Sequence, residues 1–225
     1  MVFEHRAPEG EKVEAASIRT YSRVGSLAGL AAAWRVRCIL GPARRSRPAT
    51  VLDIGTGPAA IPFHLRRFWP GARLIGLDVC PDMLAVATRF RTRGRGALSL
   101  LAADSGRLPL ASGSCDAVLS FFALHHMDRA EAVLAEIGRV LKPEGTLLII
   151  DFRRDMPKPL YRILDGAWRT VFAASPSRDG LRRSIASAWR PDEIEAMLER
   201  RGLTRFQVTT TRTELCITAN LKGIR

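Results

Sequence analysis

The sequence predicts an α/β fold: a doubly wound, mostly parallel sheet that finishes in an antiparallel hairpin. Three observations carry that prediction. Short, continuous apolar runs such as Thr50 to Ile54 and Thr146 to Ile150 lack the polar alternation of a half-exposed strand and read as strands buried on both faces. They alternate along the chain with helical patterns, the signature of parallel strands joined by helices. Near the C-terminus, two β-rich stretches at 205–211 and 214–221 are separated by a tight turn too short for a parallel crossover.

Taken in order, residues 13–40 read as one or two helices with Leu27, Leu30, Ala31 and Trp34 on one face, closed by Gly41-Pro42. The first strand runs from Thr50 to Ile54 and is followed by a glycine turn and a helix through Phe68. Pro70-Gly71 breaks that helix before a second strand at Arg73 to Leu77. A helix from Pro81 to Phe90 precedes the third strand, Ala97 to Ala102, and Asp116 to Phe122 forms the fourth. Asp128 and Glu131 have capping-box spacing before the helix of Val133, Leu134, Ile137, Val140 and Leu141, which Pro143-Glu144-Gly145 closes. Thr146 to Ile150 is the fifth strand. Pro191 opens a last helix that Gly202 ends, and the hairpin brings the strands to seven.

The chain of 225 residues is expected to form one domain, divided into an N-terminal helical segment (1–48), a core (49–152), an insertion (153–190), and a C-terminal helix and hairpin (191–225). No apolar run reaches the roughly 18 residues of a membrane span, and the N-terminus lacks a secretory signal. Four cysteines, at 38, 80, 115 and 216, form no C-x-x-C pair, which predicts free thiols, no metal and a cytoplasmic location.

The strongest local signal is Asp53-Ile54-Gly55-Thr56-Gly57, placed where the first strand turns into a helix. Glycines there permit positive φ and a close approach of backbone to ligand. Asp78 ends the second strand 21 residues beyond Gly57, where a carboxylate can accept from both hydroxyls of a ribose. That pattern alone also admits NAD. Asp53 inside the strand end and Asp104 after strand three weigh against it.

Four stretches then carry a family resemblance: VLDIGTGPA (51–59), LIGLDVCPDML (74–84), LLAADSGRLPLASGSCDAVLSFFALHHM (100–127) and IGRVLKPEGTLLIIDF (137–152). Together they resemble class I S-adenosylmethionine-dependent methyltransferases with a seven-stranded Rossmann-like sheet, nearest the quinone-biosynthesis and small-molecule group. The tail WRPDEIEAMLERRGLTRF (189–206) extends the resemblance more loosely. The resemblance implies S-adenosyl-L-methionine as cofactor, with Asp53, Gly55, Thr56 and Gly57 around its methionine part and Asp78 on the ribose. It places Val79 and Met83 beside the adenine, Asp104 and the Ser105 backbone at the adenine amino group, and Phe121 with Phe122 at the transfer pocket. Ala59 stands where the family often has a third glycine.

Methyl transfer from a sulfonium is an in-line displacement that asks mainly for alignment and exclusion of water. A base is needed only where the acceptor loses a proton. His125 and His126 after strand four are candidates, and the plain alternative is a structural histidine pair in that loop. Tyr21 reads either as a cover over the cofactor or as ordinary packing. No catalytic residue is assigned. The stretch Ser120-Phe121-Phe122-Ala123-Leu124 lacks the Asn/Asp-Pro-Pro-Tyr element of many N-methyltransferases, which points to an oxygen or activated carbon on a small apolar or aromatic acceptor.

Within 153–190, Leu160, Ile163, Leu164, Ala167, Trp168, Val171 and Phe172 recur at helical spacing, as a core-packed helix or a lid over an apolar acceptor. Arg153, Arg154, Lys158 and Arg162 beside it are expected to neutralise an acidic group of the acceptor. The net charge is +13, carried by 31 arginines against four lysines. The densest runs, Arg44, Arg45, Arg47 and Arg89, Arg91, Arg93, Arg95, precede strands one and three and so belong at the edge opposite the cofactor. RNA methylation, a scaffold role without turnover and peripheral membrane contact stay open as alternatives, with RNA less favoured because no basic stretch is interleaved with aromatics.

Overall fold

A computed structural model describes residues 3–7, 29–39, 50–91, 98–173 and 175–220. The expectations for Tyr21, for Arg44, Arg45 and Arg47, and for Arg93 and Arg95 lie outside the described residues.

Seven strands form one sheet: β1 (Thr50–Ile54), β2 (Arg73–Asp78), β3 (Leu98–Ala102), β4 (Cys115–Phe121), β5 (Leu141–Phe152), β6 (Gln207–Thr210) and β7 (Glu214–Ala219). Their order is β3-β2-β1-β4-β5-β7-β6. The first five are parallel, while β7 runs antiparallel to β5 and to β6. The helices are α1 (29–39), α2 (Ala60–Leu65), α3 (Pro81–Arg91), α4 (Ala130–Val140), α5 (Lys158–Val171), α6 (Gly180–Ser187) and α7 (Pro191–Arg200).

The strands are continuous apolar runs because each sheet face meets its own core. On β1, Leu52 and Ile54 join a cluster with Val133, Leu134 and Ile137 of α4 and Ile194 of α7. Val51 points the other way, into a cluster with Ala33 and Val36 of α1, Leu65 of α2 and Ala87 of α3. Each leucine removed from water in these clusters contributes about 1.5–3 kcal/mol. A third, small cluster of Met156, Leu181 and Ile185 gathers Phe3, Phe152, Tyr161, Leu164 and Trp168.

Three local expectations are corrected. On α1, Ala33 and Val36 are buried while Leu30 and Trp34 are exposed. Small residues let α1 approach the body closely; an added Cβ on Gly29 would lie 2.5 Å from the Ala60 methyl. At α4 the N-cap is Arg129, with no side-chain cap. Asp128 instead pairs with Arg6 at 2.9 Å, and Glu131 with Arg200 and Arg201 at 2.8 Å each. Cations from the N-terminal segment and α7 outbid the backbone N–H groups for these carboxylates. On α5 the apolar stripe is only partly used: no residue of the helix is fully buried, and Ile163 and Val171 are 68% and 71% exposed.

The fifth strand also begins earlier than its apolar run. Cys115 pairs with Leu141 and Ala117 with Thr146, so residues 142–145 bulge outward. Asn220 Nδ2 donates to the carbonyls of Pro143 and Gly145 at 3.0 and 2.7 Å, satisfying that bulge.

Candidate active site

The parallel sheet reverses its order between β1 and β4, and ligands of such sheets bind beyond the strand C-termini at this switch point. Gly55 and Gly57 have φ of +69° and +52°. The N–H groups of Gly55 and Thr56 both donate to the Leu77 carbonyl, at 2.8 and 2.9 Å, and so tie the turn to the end of β2. The two glycines serve different ends. A Cβ on Gly55 would lie 2.3 Å from the Ala123 methyl, whereas one on Gly57 would meet nothing within 4 Å. Gly55 is needed for packing, and Gly57 leaves an open cradle.

Ala59, at the place of the third glycine, is fully buried with φ of +55°. A non-glycine residue there costs about 1–2 kcal/mol. Its methyl group joins the core that includes Val51 and Leu65, which offsets part of that cost.

Thr56 Oγ1 donates to Asp53 Oδ2 at 2.7 Å. Asp53 is 2% exposed, and burial pushes its carboxyl up to about 7, with Asp78 adding to the rise and Thr56 opposing it. Gly76 of β2 makes room for this pair, since a Cβ there would sit 2.9 Å from Thr56 Oγ1. The signal for Gly76 in the sequence is a glycine inside an otherwise apolar strand, which marks a close approach.

Asp78 bridges the turn and β2. Its Oδ2 accepts from Gly57 N at 2.7 Å and its Oδ1 from Cys80 N at 2.9 Å. Burial raises its pKa despite these bonds. Each carboxylate oxygen has a second lone pair to offer. Just beyond, Val79 is 47% exposed and Met83 is buried. Ala103 N donates to the Asp78 carbonyl at 3.2 Å, which brings the ends of β2 and β3 side by side. Asp104 is exposed; it accepts from Gly106 N at 2.7 Å and pairs with Arg129. Ser105 is half-buried beside it, and Phe121 is half-buried at the end of β4. Asp53, Asp78 and Asp104 thus stand at the C-terminal ends of three neighbouring strands.

Beyond β4 and β5 lies an aromatic and imidazole cluster. Phe122 has φ of +49°, held by its N–H donating to the Ile150 carbonyl at 2.8 Å. Its ring lies 4.7 Å from that of Phe152. His125 is 2% exposed, with Nδ1 2.7 Å from Asp151 Oδ1 and its backbone N–H donating to Asp151 Oδ2 at 2.8 Å. His125 Nε2 is buried and has no hydrogen-bond partner among the described residues. The His126 ring stacks on His125 with centroids 4.1 Å apart. Burial, reinforced by His125 and Arg6, lowers the His126 pKa to about 3. Asp151 was not singled out from sequence; the available signal was an acid directly after an apolar strand run, level with the histidines across the sheet.

Residues 3–7 cross this cluster. Arg6 donates to the carbonyls of Ser187 and His125, at 2.7 and 2.9 Å, and stacks 4.1 Å over the Trp189 ring. Two of the four cations expected to face the acceptor are committed elsewhere. Arg153 pairs with Asp155 at 2.7 Å, and Arg154, 1% exposed, donates to the Ala188 carbonyl at 2.7 Å and pairs with Glu193. Lys158 and Arg162 are exposed.

A glycine turn and an acid on adjacent parallel strands, with the order reversing beside them, define a Rossmann-like nucleotide-binding protein. Comparison with known proteins narrows this. Residues 52–149 match the family described as "Methyltransferase domain". A demethylmenaquinone methyltransferase from Thermus thermophilus is 33% identical over 167 residues, covering 72% of this chain and 73% of the relative. A ubiquinone/menaquinone biosynthesis C-methyltransferase from Syntrophotalea carbinolica is 32% identical over 148 residues, covering 65% of this chain and 61% of the relative's length. Among solved structures, a SAM-dependent methyltransferase from Aquifex aeolicus superposes with a TM-score of 0.64 at 20% identity, covering 92% of this chain and 98% of that one. The chain belongs to the class I S-adenosylmethionine-dependent methyltransferases, near their quinone-biosynthesis group.

Proposed function

We propose that this chain transfers a methyl group from S-adenosylmethionine to an oxygen or activated carbon of a small apolar or aromatic acceptor. The observation that carries the reading is one sheet edge bearing two unlike surfaces. An open glycine cradle with three carboxylates lies beyond β1 to β3, and aromatic rings around a buried imidazole lie beyond β4 and β5. The first surface suits a polar, positively charged nucleotide cofactor, and the second suits a flat apolar acceptor.

The residues fit that cofactor because Gly57 leaves its cradle open while both Asp78 oxygens are already oriented by backbone N–H groups. Asp53, Gly55, Thr56 and Gly57 would surround the methionine part. Asp78 would hold the ribose, with Val79, Met83, Asp104 and Ser105 around the adenine and Phe121 towards the transfer site. When bound, the cofactor supplies an electrophilic methyl on a sulfonium. Phe122 and Phe152 would align the acceptor and exclude water. Where the acceptor must lose a proton, His125 Nε2 is the lone pair in reserve, since Asp151 fixes the other ring nitrogen as donor. The insertion at 153–190, with residues 3–7, walls this side through the cluster that includes Phe3, Phe152 and Tyr161.

The relatives' acceptors suggest the first probe, a short-chain demethylmenaquinone reduced to its quinol. Methyl-labelled cofactor should pass its label to this acceptor in the organic phase. Cofactor binding with no label in any organic-phase product of a cell extract, and label instead in nuclease-sensitive material, overturns the small-molecule reading.

A further inference from the structure

We infer that α5 is a docking surface for an anionic lipid bilayer. This rests on the helix's own face and charge and does not depend on which acceptor is methylated. Tyr161, Leu164 and Trp168 turn inward, onto Met156, Leu181 and Ile185. Trp168 Nε1 is fixed there by donating to the Ser177 carbonyl at 2.8 Å. Ile163, Ala167 and Val171, spaced by four, form a second apolar line along the helix, and all three are exposed. A soluble surface gains nothing from a branched apolar side chain held at about 70% exposure at both ends of such a line.

The surrounding charge selects the occupant. From Lys158 to Arg183 the chain carries six basic and two acidic residues. Both acids, Asp165 and Asp179, are engaged by Arg169. Lys158, Arg162, Arg178 and Arg182 are exposed and leave this segment with an excess of positive charge, Lys158 and Arg162 lying on the flank of α5 across from the apolar line. A helix with a thin apolar line and one basic flank, on a segment of net positive charge, matches the interface of an anionic leaflet. No helix among the described residues is long and apolar enough to cross a membrane, so the contact is peripheral.

Cosedimentation of the full chain with vesicles tests this, using phosphatidylcholine alone and phosphatidylcholine mixed with phosphatidylglycerol. The wild type should pellet with the anionic vesicles, and salt should release it. Ile163→Glu and Val171→Glu should each weaken that partition by about tenfold while leaving the thermal midpoint unchanged, since both side chains are exposed. Arg162→Glu should weaken it in the same direction. Failure of the wild type to pellet, equal binding to neutral vesicles, or full binding by the glutamate variants overturns the inference. So does a wild-type dimer in light scattering that Ile163→Glu converts to monomer, which would make a second copy the occupant.

Discussion

Asp151 grips His125 twice, through the backbone N–H at 2.8 Å and through Nδ1 at 2.7 Å, and both residues are 2% exposed. The same carboxylate also accepts from Phe152 N at 2.7 Å. Asp151→Ala would strand three donors in a dry site, and a loss of about 3 kcal/mol in urea unfolding is expected. Asp151→Asn keeps one acceptor oxygen and should lose less, about 1–2 kcal/mol. Nitrogen NMR should find the His125 proton on Nδ1 in the wild type. Small, equal losses in both variants would show that the pair does not anchor the loop.

Asp53 and His126 give stability opposite slopes with pH. Asp53, raised to about 7 in the fold, contributes stability that is full below its unfolded value near 4 and is lost as pH rises through about 7. His126, lowered to about 3, acts in reverse: its contribution is present above about 6.5 and is lost as pH falls towards 3. Between about pH 4 and 6.5 each slope approaches 1.4 kcal/mol per pH unit, and they oppose each other. Asp53→Asn should therefore unmask a stability that climbs with pH across that window, measured as urea midpoints. A pH-independent difference between variant and wild type would show that Asp53 does not titrate there. The same shift predicts that cofactor binding below about pH 7 releases a proton, which calorimetry in buffers of different ionisation enthalpy would detect.

The two glycines of the turn should fail in different ways. Gly55→Ala drives a methyl to 2.3 Å from the buried Ala123 and strains a φ of +69°, so a loss of about 3 kcal/mol is expected in thermal or urea unfolding. Gly57→Ala meets no neighbour and should cost only about 1 kcal/mol. Its methyl occupies the open cradle, however, and should weaken S-adenosylmethionine binding by about tenfold, or 1.4 kcal/mol. Unchanged affinity in Gly57→Ala would remove the turn from the cofactor site.

The glycine turn and its tie to Asp78 were legible because their requirements are local. Positive φ at Gly55 and Gly57 calls for glycine, and Asp78 must sit at a strand end a fixed distance on. Strand–helix alternation pointed to a parallel sheet covered on both faces but did not specify the order β3-β2-β1-β4-β5. The cluster beyond β4 and β5 was less legible, because its contacts are between residues far apart in the chain. Nothing near His125 in sequence announces Asp151, 26 residues on, and nothing near Arg6 announces Trp189. Periodicity marked α5 as amphipathic but could not say that only part of its stripe finds a partner. Capping spacing at Asp128 and Glu131 was outcompeted by arginines from elsewhere in the fold.

Arg154 shows how the same ambiguity can be put to a test. Sequence position suggested a cation facing the acceptor, but its guanidinium is buried against the Ala188 carbonyl and Glu193. Glu193 also accepts from the Arg190 N–H at 2.8 Å in the capping box of α7, so the pair fixes where that helix begins. Arg154→Met fills similar volume yet leaves a buried carbonyl without its donor and Glu193 without its cation. Glu193 is partly exposed and can rehydrate, which puts the loss near the lower end for a broken buried pair, about 3 kcal/mol in urea unfolding. Glu193→Gln, which keeps an acceptor oxygen, should cost less. A residue whose task was to neutralise the acceptor would give the opposite pattern, with stability unchanged and KM raised for an acidic acceptor alone.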